Sequence, residues 1–182
     1  MLKGLPERTD GQTRQDFETI VHAFKYAIEN QPDKIALRCD KDQATYREYG
    51  HVATHVAGFL KTRGIKKDNR IVICASVSIN LPMIIFGILA ARAQITMINP
   101  NYKAREITPL IEIAEPNLIF CDSNSLETFR NIKSVDKSML ININGPKNTW
   151  QDADSTTLPL DLPKGEDGAV ILFTGGTTGT SK

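Results

Sequence analysis

Ala169-Val170-Ile171-Leu172-Phe173-Thr174-Gly175-Gly176-Thr177-Thr178-Gly179-Thr180-Ser181-Lys182 is the stretch on which the reading turns. Its first five residues are an apolar run of strand length. A loop of glycine and threonine follows, with a lysine at its far side. Gly175, Gly176 and Gly179 let the backbone turn tightly and bring its N–H groups close to an anion. The threonines and Ser181 add hydroxyl donors, and Lys182 adds a positive charge suited to phosphate oxygens. A flexible polar tail is the plainer alternative. The strand directly before the loop and the lysine after it argue instead for phosphate binding. The loop is not a Walker A sequence, which needs G-x-x-x-x-G-K-[ST]. Gly175 and Gly179 are four apart, and no Gly-Lys-Ser/Thr follows.

Working back from the loop, residues 144–167 carry Gly, Pro, Asp and Thr in quantity and predict a long surface connection. Before it, strands and helices alternate. Strands are predicted at 70–74, 95–98, 117–121 and 139–143, with helices at 79–91, 105–114 and 125–132 between them. The turn Asn99-Pro100-Asn101 closes the second of these strands. Strands separated by helices imply an α/β fold with a mostly parallel sheet flanked by helices. Ligands gather at the carboxyl ends of the strands in such sheets, and Thr174 stands at such an end. Further back, Phe17, Ile20, Val21, Phe24, Ala27 and Ile28 recur at helical spacing, predicting a helix over 16–30. Residues 34–39 and 44–46 predict a hairpin across Lys41-Asp42-Gln43. Thr45 with Glu48 three residues on forms a capping box. The helix it opens buries Tyr49, Val52, Ala53, Val56, Ala57 and Leu60 and stops at Gly64.

Composition narrows the class. Basic and acidic side chains nearly balance, giving a net charge of +1 with no dense run of one sign. That gives no case for nucleic acid or an anionic membrane surface. Cys39, Cys74 and Cys121 lack CxxC spacing, so they predict no zinc site and fit a reducing compartment. The N-terminal residues have no apolar core of the signal-peptide kind. Residues 81–91 are too short an apolar run to span a bilayer, which takes about 20 residues, and they lack a lysine-rich polar face. They predict a buried helix, and the chain is expected to be cytoplasmic, at most peripheral to the inner membrane. His51 and His55 are an i, i+4 pair, a spacing that can hold a metal. No third ligand is near in sequence, so a partly solvated helix face is the simpler reading and no metal site is expected. His22 reads as a lone helix residue, and no recognisable nucleophile motif is present.

The loop resembles the phosphate-binding signature T-[SG]-G-[ST]-T-G-x-[PA]-K of the adenylate-forming acyl-activating enzymes, the AMP-binding superfamily. Thr174, Gly176, Thr177, Thr178, Gly179 and Lys182 match it position by position. Gly175 takes the variant of bacterial long-chain fatty-acid CoA ligases, and Ser181 replaces the usual Pro or Ala. Two earlier segments extend the resemblance. Ala44-Thr45-Tyr46-Arg47-Glu48-Tyr49, with Gly64-Ile65-Lys66-Lys67-Asp68-Asn69-Arg70-Ile71-Val72-Ile73 after a helix, is similar to T-Y-x-E-L … G-[VI]-x-x-G-D-R-V. Phe86-Gly87-Ile88-Leu89-Ala90-Ala91-Arg92-Ala93, then Ile98-Asn99-Pro100-Asn101-Tyr102, is similar to G-x-x-x-A-G-A … N-P-x-Y. Arg92 and Ala93 stand near the place of the family's Ala-Gly pair. The three matches occur in order, from about residue 17 onward.

The resemblance implies a fold, the front part of the large N-terminal domain of acyl-activating enzymes. It also implies a reaction, in which a carboxylate and ATP give an acyl-adenylate and pyrophosphate, and the acyl group then passes to the thiol of coenzyme A. Holding the β- and γ-phosphates helps because charge moves onto the departing pyrophosphate. By carry-over, Thr174, Thr177 and Thr178 hydrogen-bond phosphate oxygens, with Thr180 in the same loop. Gly175, Gly176 and Gly179 permit close backbone approach, Lys182 neutralises charge, and Mg2+ accompanies the nucleotide. The acid expected is a long-chain fatty acid. Residues 1–182 are expected to be an incomplete N-terminal part, lacking the remainder of the AMP-binding domain and the mobile C-terminal domain. No catalytic residue is assigned within them. The chain alone is expected to be inactive and to self-associate through uncovered apolar surface. The alternative is a truncated, non-catalytic binding module derived from the same family; a phosphate-loop NTPase fails on spacing.

Overall fold

A computed structural model describes residues 16–145 and 161–173. The chain opens with helix α1 (Ile20–Asn30), then an antiparallel hairpin of β1 (Ile35–Cys39) and β2 (Asp42–Thr45). Asp40 takes the left-handed backbone at its turn, φ 52°. Helix α2 (Tyr46–Thr62) follows, opened by the capping box: Thr45 Oγ1 accepts from Glu48 N at 3.2 Å, and Glu48 Oε2 accepts from Thr45 N at 2.7 Å. The chain then alternates: β3 (Arg70–Cys74), α3 (Asn80–Ala90), β4 (Gln94–Met97), α4 (Ala104–Ala114), β5 (Leu118–Cys121), α5 (Ser123–Arg130), a short 3-10 turn (Lys137–Met139) and β6 (Leu140–Asn142). The last described strand is β7 (Val170–Ile171). The five strands β3 to β7 form one parallel sheet in the order β6-β5-β3-β4-β7.

The core lies on both faces of this sheet, as period-2 alternation along fully covered strands requires. Ile71, Ile73, Ile95, Leu118 and Phe120 face α2 and α3; Val72, Cys74, Ile119 and Cys121 face α4 and α5. Fully burying an Ile or Phe side chain contributes about 1.5–3 kcal/mol, so these strand residues, with the helix residues packed on them, supply much of the fold's stability. The two helices of the first face pack closely because of Gly87. A β-carbon there would lie 2.5 Å from Val56 Cβ and 2.7 Å from the Ala53 carbonyl oxygen. A third cluster joins α1, α2 and α3 through Phe24, Tyr49 and Phe86, with ring centroids 4.4–5.5 Å apart, and Ala44 of the hairpin packs into it. The Tyr49 hydroxyl donates to the Pro82 carbonyl at 3.1 Å.

Element boundaries shift where caps decide them. The first helix begins at Ile20 rather than residue 16, since Thr19 is its extended N-cap. Glu18 instead accepts a hydrogen bond from Gly165 N at 3.1 Å. The fifth begins at Ser123, two residues early, because the Asp122 carboxylate accepts from Ser125 N at 2.8 Å. Most of the predicted connection over 144–167 lies outside the described residues; residues 161–167 form a pinned segment, described next.

Candidate functional site

The predicted phosphate loop, Thr174, Gly175, Gly176, Thr177, Thr178, Gly179, Thr180 and Lys182, lies outside the described residues. The structure does describe what carries it. Ile95 N donates to the Ala169 carbonyl at 2.9 Å, and β7 then pairs with β4 in register Ile95↔Val170 and Thr96↔Ile171. Strand β7 is therefore parallel to its neighbours and ends on the same side of the sheet as β3, β4 and β5. Phe173, immediately before the loop, packs against the core face covered by α4 and α5.

Two residues of β-ladder are a weak hold for such a strand, and charged residues at the opposite, amino end supply the rest. Asp167 lies three residues before β7, its side chain only 3% exposed. Arg92 Nε donates to Asp167 Oδ2 at 2.8 Å, and Lys67 Nζ reaches Oδ1 at 2.8 Å. Lys164 N adds a third donor at 3.0 Å. The Arg92 and Lys67 side chains and the Lys164 amide hold the Asp167 carboxyl far below the usual carboxylate range. Arg92 also binds Asp161. Its own backbone is left-handed, φ 61°, a conformation that favours glycine and costs other residues energy. The Arg92 carbonyl accepts from Asp68 N at 3.1 Å, and Asp68 is left-handed too, φ 64°. The loop before β3, the loop before β4 and the segment before β7 are thus tied at one corner. A cavity of about 250 Å³ opens beside it, between Thr19, Ile20, Leu89 and residues 163–169. Arg92, at its edge, is already engaged by Asp167 and Asp161.

At the carboxyl end, the connection after β3 leads to α3 on one face, while those after β4 and β5 lead to helices on the other. Strand β3 therefore sits at a topological switch point, where ligand crevices form in open α/β sheets. On the β5 side the crevice is bridged: Asp122 Oδ2 accepts from Ser76 N at 2.9 Å and from Ser76 Oγ at 3.0 Å. Burial pushes the Asp122 carboxyl up, but the Ser76 and Ser125 donors outweigh it and hold it below its ordinary value. On the β4 side, the loops after β3, β4 and β7 carry exposed apolar residues: Val77 is 85% exposed, Tyr102 40% and Leu172 74%. Polar Ser78, Asn99 and Asn101 stand in the same loops. This is the rim from which the predicted phosphate loop departs.

His51 is exposed and His55 half-buried on α2, with Nε2 atoms 3.1 Å apart. Sequence reasoning missed the Arg92–Asp167–Lys67 cluster. Its one legible sign was a charged residue, Arg92, near the place of a small-residue pair.

A parallel sheet with a switch point, whose edge strand leads into a glycine- and threonine-rich loop, defines a nucleotide-type α/β architecture. The sequence profile of AMP-binding enzymes matches residues 24–182, and the chain belongs to that family. It is 27% identical to bacitracin synthase 2 of Bacillus licheniformis, over 97% of this chain and 6% of that protein. It is 26% identical to a medium/long-chain-fatty-acid–CoA/3-oxocholest-4-en-26-oate–CoA ligase of Mycolicibacterium smegmatis, over 90% of this chain and 32% of that one. The fold is that of the N-terminal domain of FACL13 from Mycobacterium tuberculosis: TM-score 0.76 at 16% identity, over 87% of this chain and 42% of that structure. The chain thus spans less than half the length of the proteins it matches. No helix among the described residues is long and apolar enough to cross a membrane.

Proposed function

We propose that residues 1–182 are the front part of an ATP-dependent, AMP-forming acyl-CoA ligase that activates a long-chain fatty acid. The observation that carries this reading is the seating of β7. A strand held parallel at the sheet edge ends on the ligand side, directly before the Thr174–Lys182 sequence. That loop takes the β- and γ-phosphates of ATP with its Mg2+, the backbone N–H groups and Lys182 meeting charge that grows on the leaving pyrophosphate. The acyl-adenylate is then consumed by coenzyme A. Gly175 and the mycobacterial ligase relative support the fatty acid and coenzyme A. Peptide synthases match at similar identity, so assay must separate the acid and the acceptor. The setting is cytoplasmic, and the open rim makes the isolated chain self-associate.

ATP–pyrophosphate exchange tests this. The 182-residue chain is expected to give no exchange with any acid, and calorimetry should find ATP–Mg binding weaker than about 1 μM. Extended through the rest of the AMP-binding and C-terminal domains, the protein should exchange with long-chain fatty acid. In it, Lys182→Ala should lower the rate about 10²-fold or more. Exchange with amino acids in place of fatty acids would overturn the substrate class. Unimpaired exchange in Lys182→Ala would overturn the loop's role.

A further inference from the structure

We propose that His51 and His55 form a two-nitrogen binding site for a divalent transition-metal ion of the imidazole-preferring class: Ni2+, Cu2+ or Zn2+. The proposal is independent of the ligase reading. The two residues stand one turn apart on α2, and their rings approach with centroids 4.3 Å apart and planes 55° apart. The Nε2 atoms are 3.1 Å from one another. With an ion about 2.05 Å from each nitrogen, that separation sets an N–metal–N angle of about 98°. The value lies between the right angle of a square or octahedral ion and the wider angle of a tetrahedral one, so one geometry serves the whole class. Without an ion, one Nε2–H points at the other Nε2. With an ion, both rings turn so that their Nε2 lone pairs meet at a shared point.

Three features favour the ion. First, the site is rigid, because α2 is capped at Thr45 and anchored through buried Ala53, Val56 and Leu60. Little is then lost in ordering the second ligand, which is what makes two ligands better than one. Second, His51 is exposed and His55 half-buried, so the ion can enter and keep waters on its open positions. No set of three His, Cys, Asp or Glu is placed to hold a metal among the described residues, so the site is an open chelate rather than a closed structural centre. Third, the His55 Nδ1 is buried with no hydrogen-bond partner among the described residues. Nδ1 is thus shut off from solvent, and Nε2, which faces His51, is the nitrogen of that ring that can reach an ion. His22, the remaining histidine, is engaged with Thr19 Oγ1 at 2.9 Å and serves as the control.

The test uses the tag-free 182-residue chain carrying Cys39→Ser, which removes the half-buried thiol as a competing ligand. Calorimetric titration with NiCl2 should give one ion per chain. His51→Gln, a change at an exposed position, should weaken binding at least about tenfold by removing one arm of the chelate, and His22→Gln should leave it unchanged. In proton NMR, paramagnetic Ni2+ should broaden the ring signals of His51 and His55 before those of His22. Equal affinity in His51→Gln, first broadening at His22, or no heat at ~100 μM Ni2+ would each overturn the proposal.

Discussion

The two ends of the central sheet are built on opposite principles. The amino end is closed by charge: Arg92 and Lys67 meet Asp167, the Lys164 backbone N–H adds a donor, and three incoming segments are tied together. The carboxyl end is left open, with Val77, Tyr102 and Leu172 facing solvent. A strand that must present a loop at one end needs to be held at the other, where nothing has to move. Strand β7 has only two ladder residues of its own, and its position is borrowed from this corner.

The largest effect should come from removing the shared anion. Asp167→Ala leaves Arg92 and Lys67 without their common carboxylate. We expect the melting temperature to fall by about 5 °C or more, with hydrogen exchange accelerated at Ile95 and Val170 before Val72. Arg92→Gly should cost less than half as much. It loses the same contacts from the cation side, but glycine relieves the left-handed backbone, and Lys67 remains to meet Asp167. Equal losses would mean that the φ of 61° carries no strain. Acid should act on the same corner. The folded carboxyl of Asp167 titrates far below its ordinary value of about 3.9. Its stabilisation is therefore complete above that ordinary value and fades as pH falls toward the folded one. Chemical denaturation midpoints should depend less on pH between about 4 and 2.5 in Asp167→Asn than in the parent chain. Matching pH slopes would show that Asp167 contributes nothing to the corner.

Most of the architecture was legible because its signals are local. Helical and strand periodicity, the Thr45–Glu48 box and the Asn99-Pro100 turn are decided by neighbours in sequence. The corner was not legible, because its parts come from three separate segments. Arg92 and Asp167 are 75 positions apart, and neither has a local pattern that demands the other. The Asp122 cap was missed for a related reason. Its carboxylate serves α5 with one oxygen and Ser76, across the sheet, with the other. The phosphate-loop assignment rests on resemblance to a signature, and the folded chain adds only the strand that carries it.

A smaller effect should separate the open end from the closed one. Val77→Ser together with Leu172→Ser changes exposed positions, so stability should stay within about 0.5 kcal/mol per site. If the rim drives self-association, light scattering at high concentration should show the parent chain as larger species and the double variant shifted toward monomer. A parent chain that is monomeric throughout would remove the self-association reading and leave the rim open without consequence.

The smallest expected signal measures how deep that opening goes. Cys74 and Cys121 pair across β3 and β5 at the last rung of the ladder, just beneath the Ser76–Asp122 bridge. Both are fully buried, and burial pushes their thiols up, Cys74 to about 11 and Cys121 to about 12. Thiolate is the reactive form, so neither should react with a disulfide reagent at neutral pH while the sheet is folded. Cys39, half-buried at the end of β1, is placed to react. One thiol should therefore titrate in the native chain and three after denaturation. Two or three fast native thiols would mean that the carboxyl end opens below its loops and into the sheet. The contrast between the two ends would then lie in their breathing rather than in their surface.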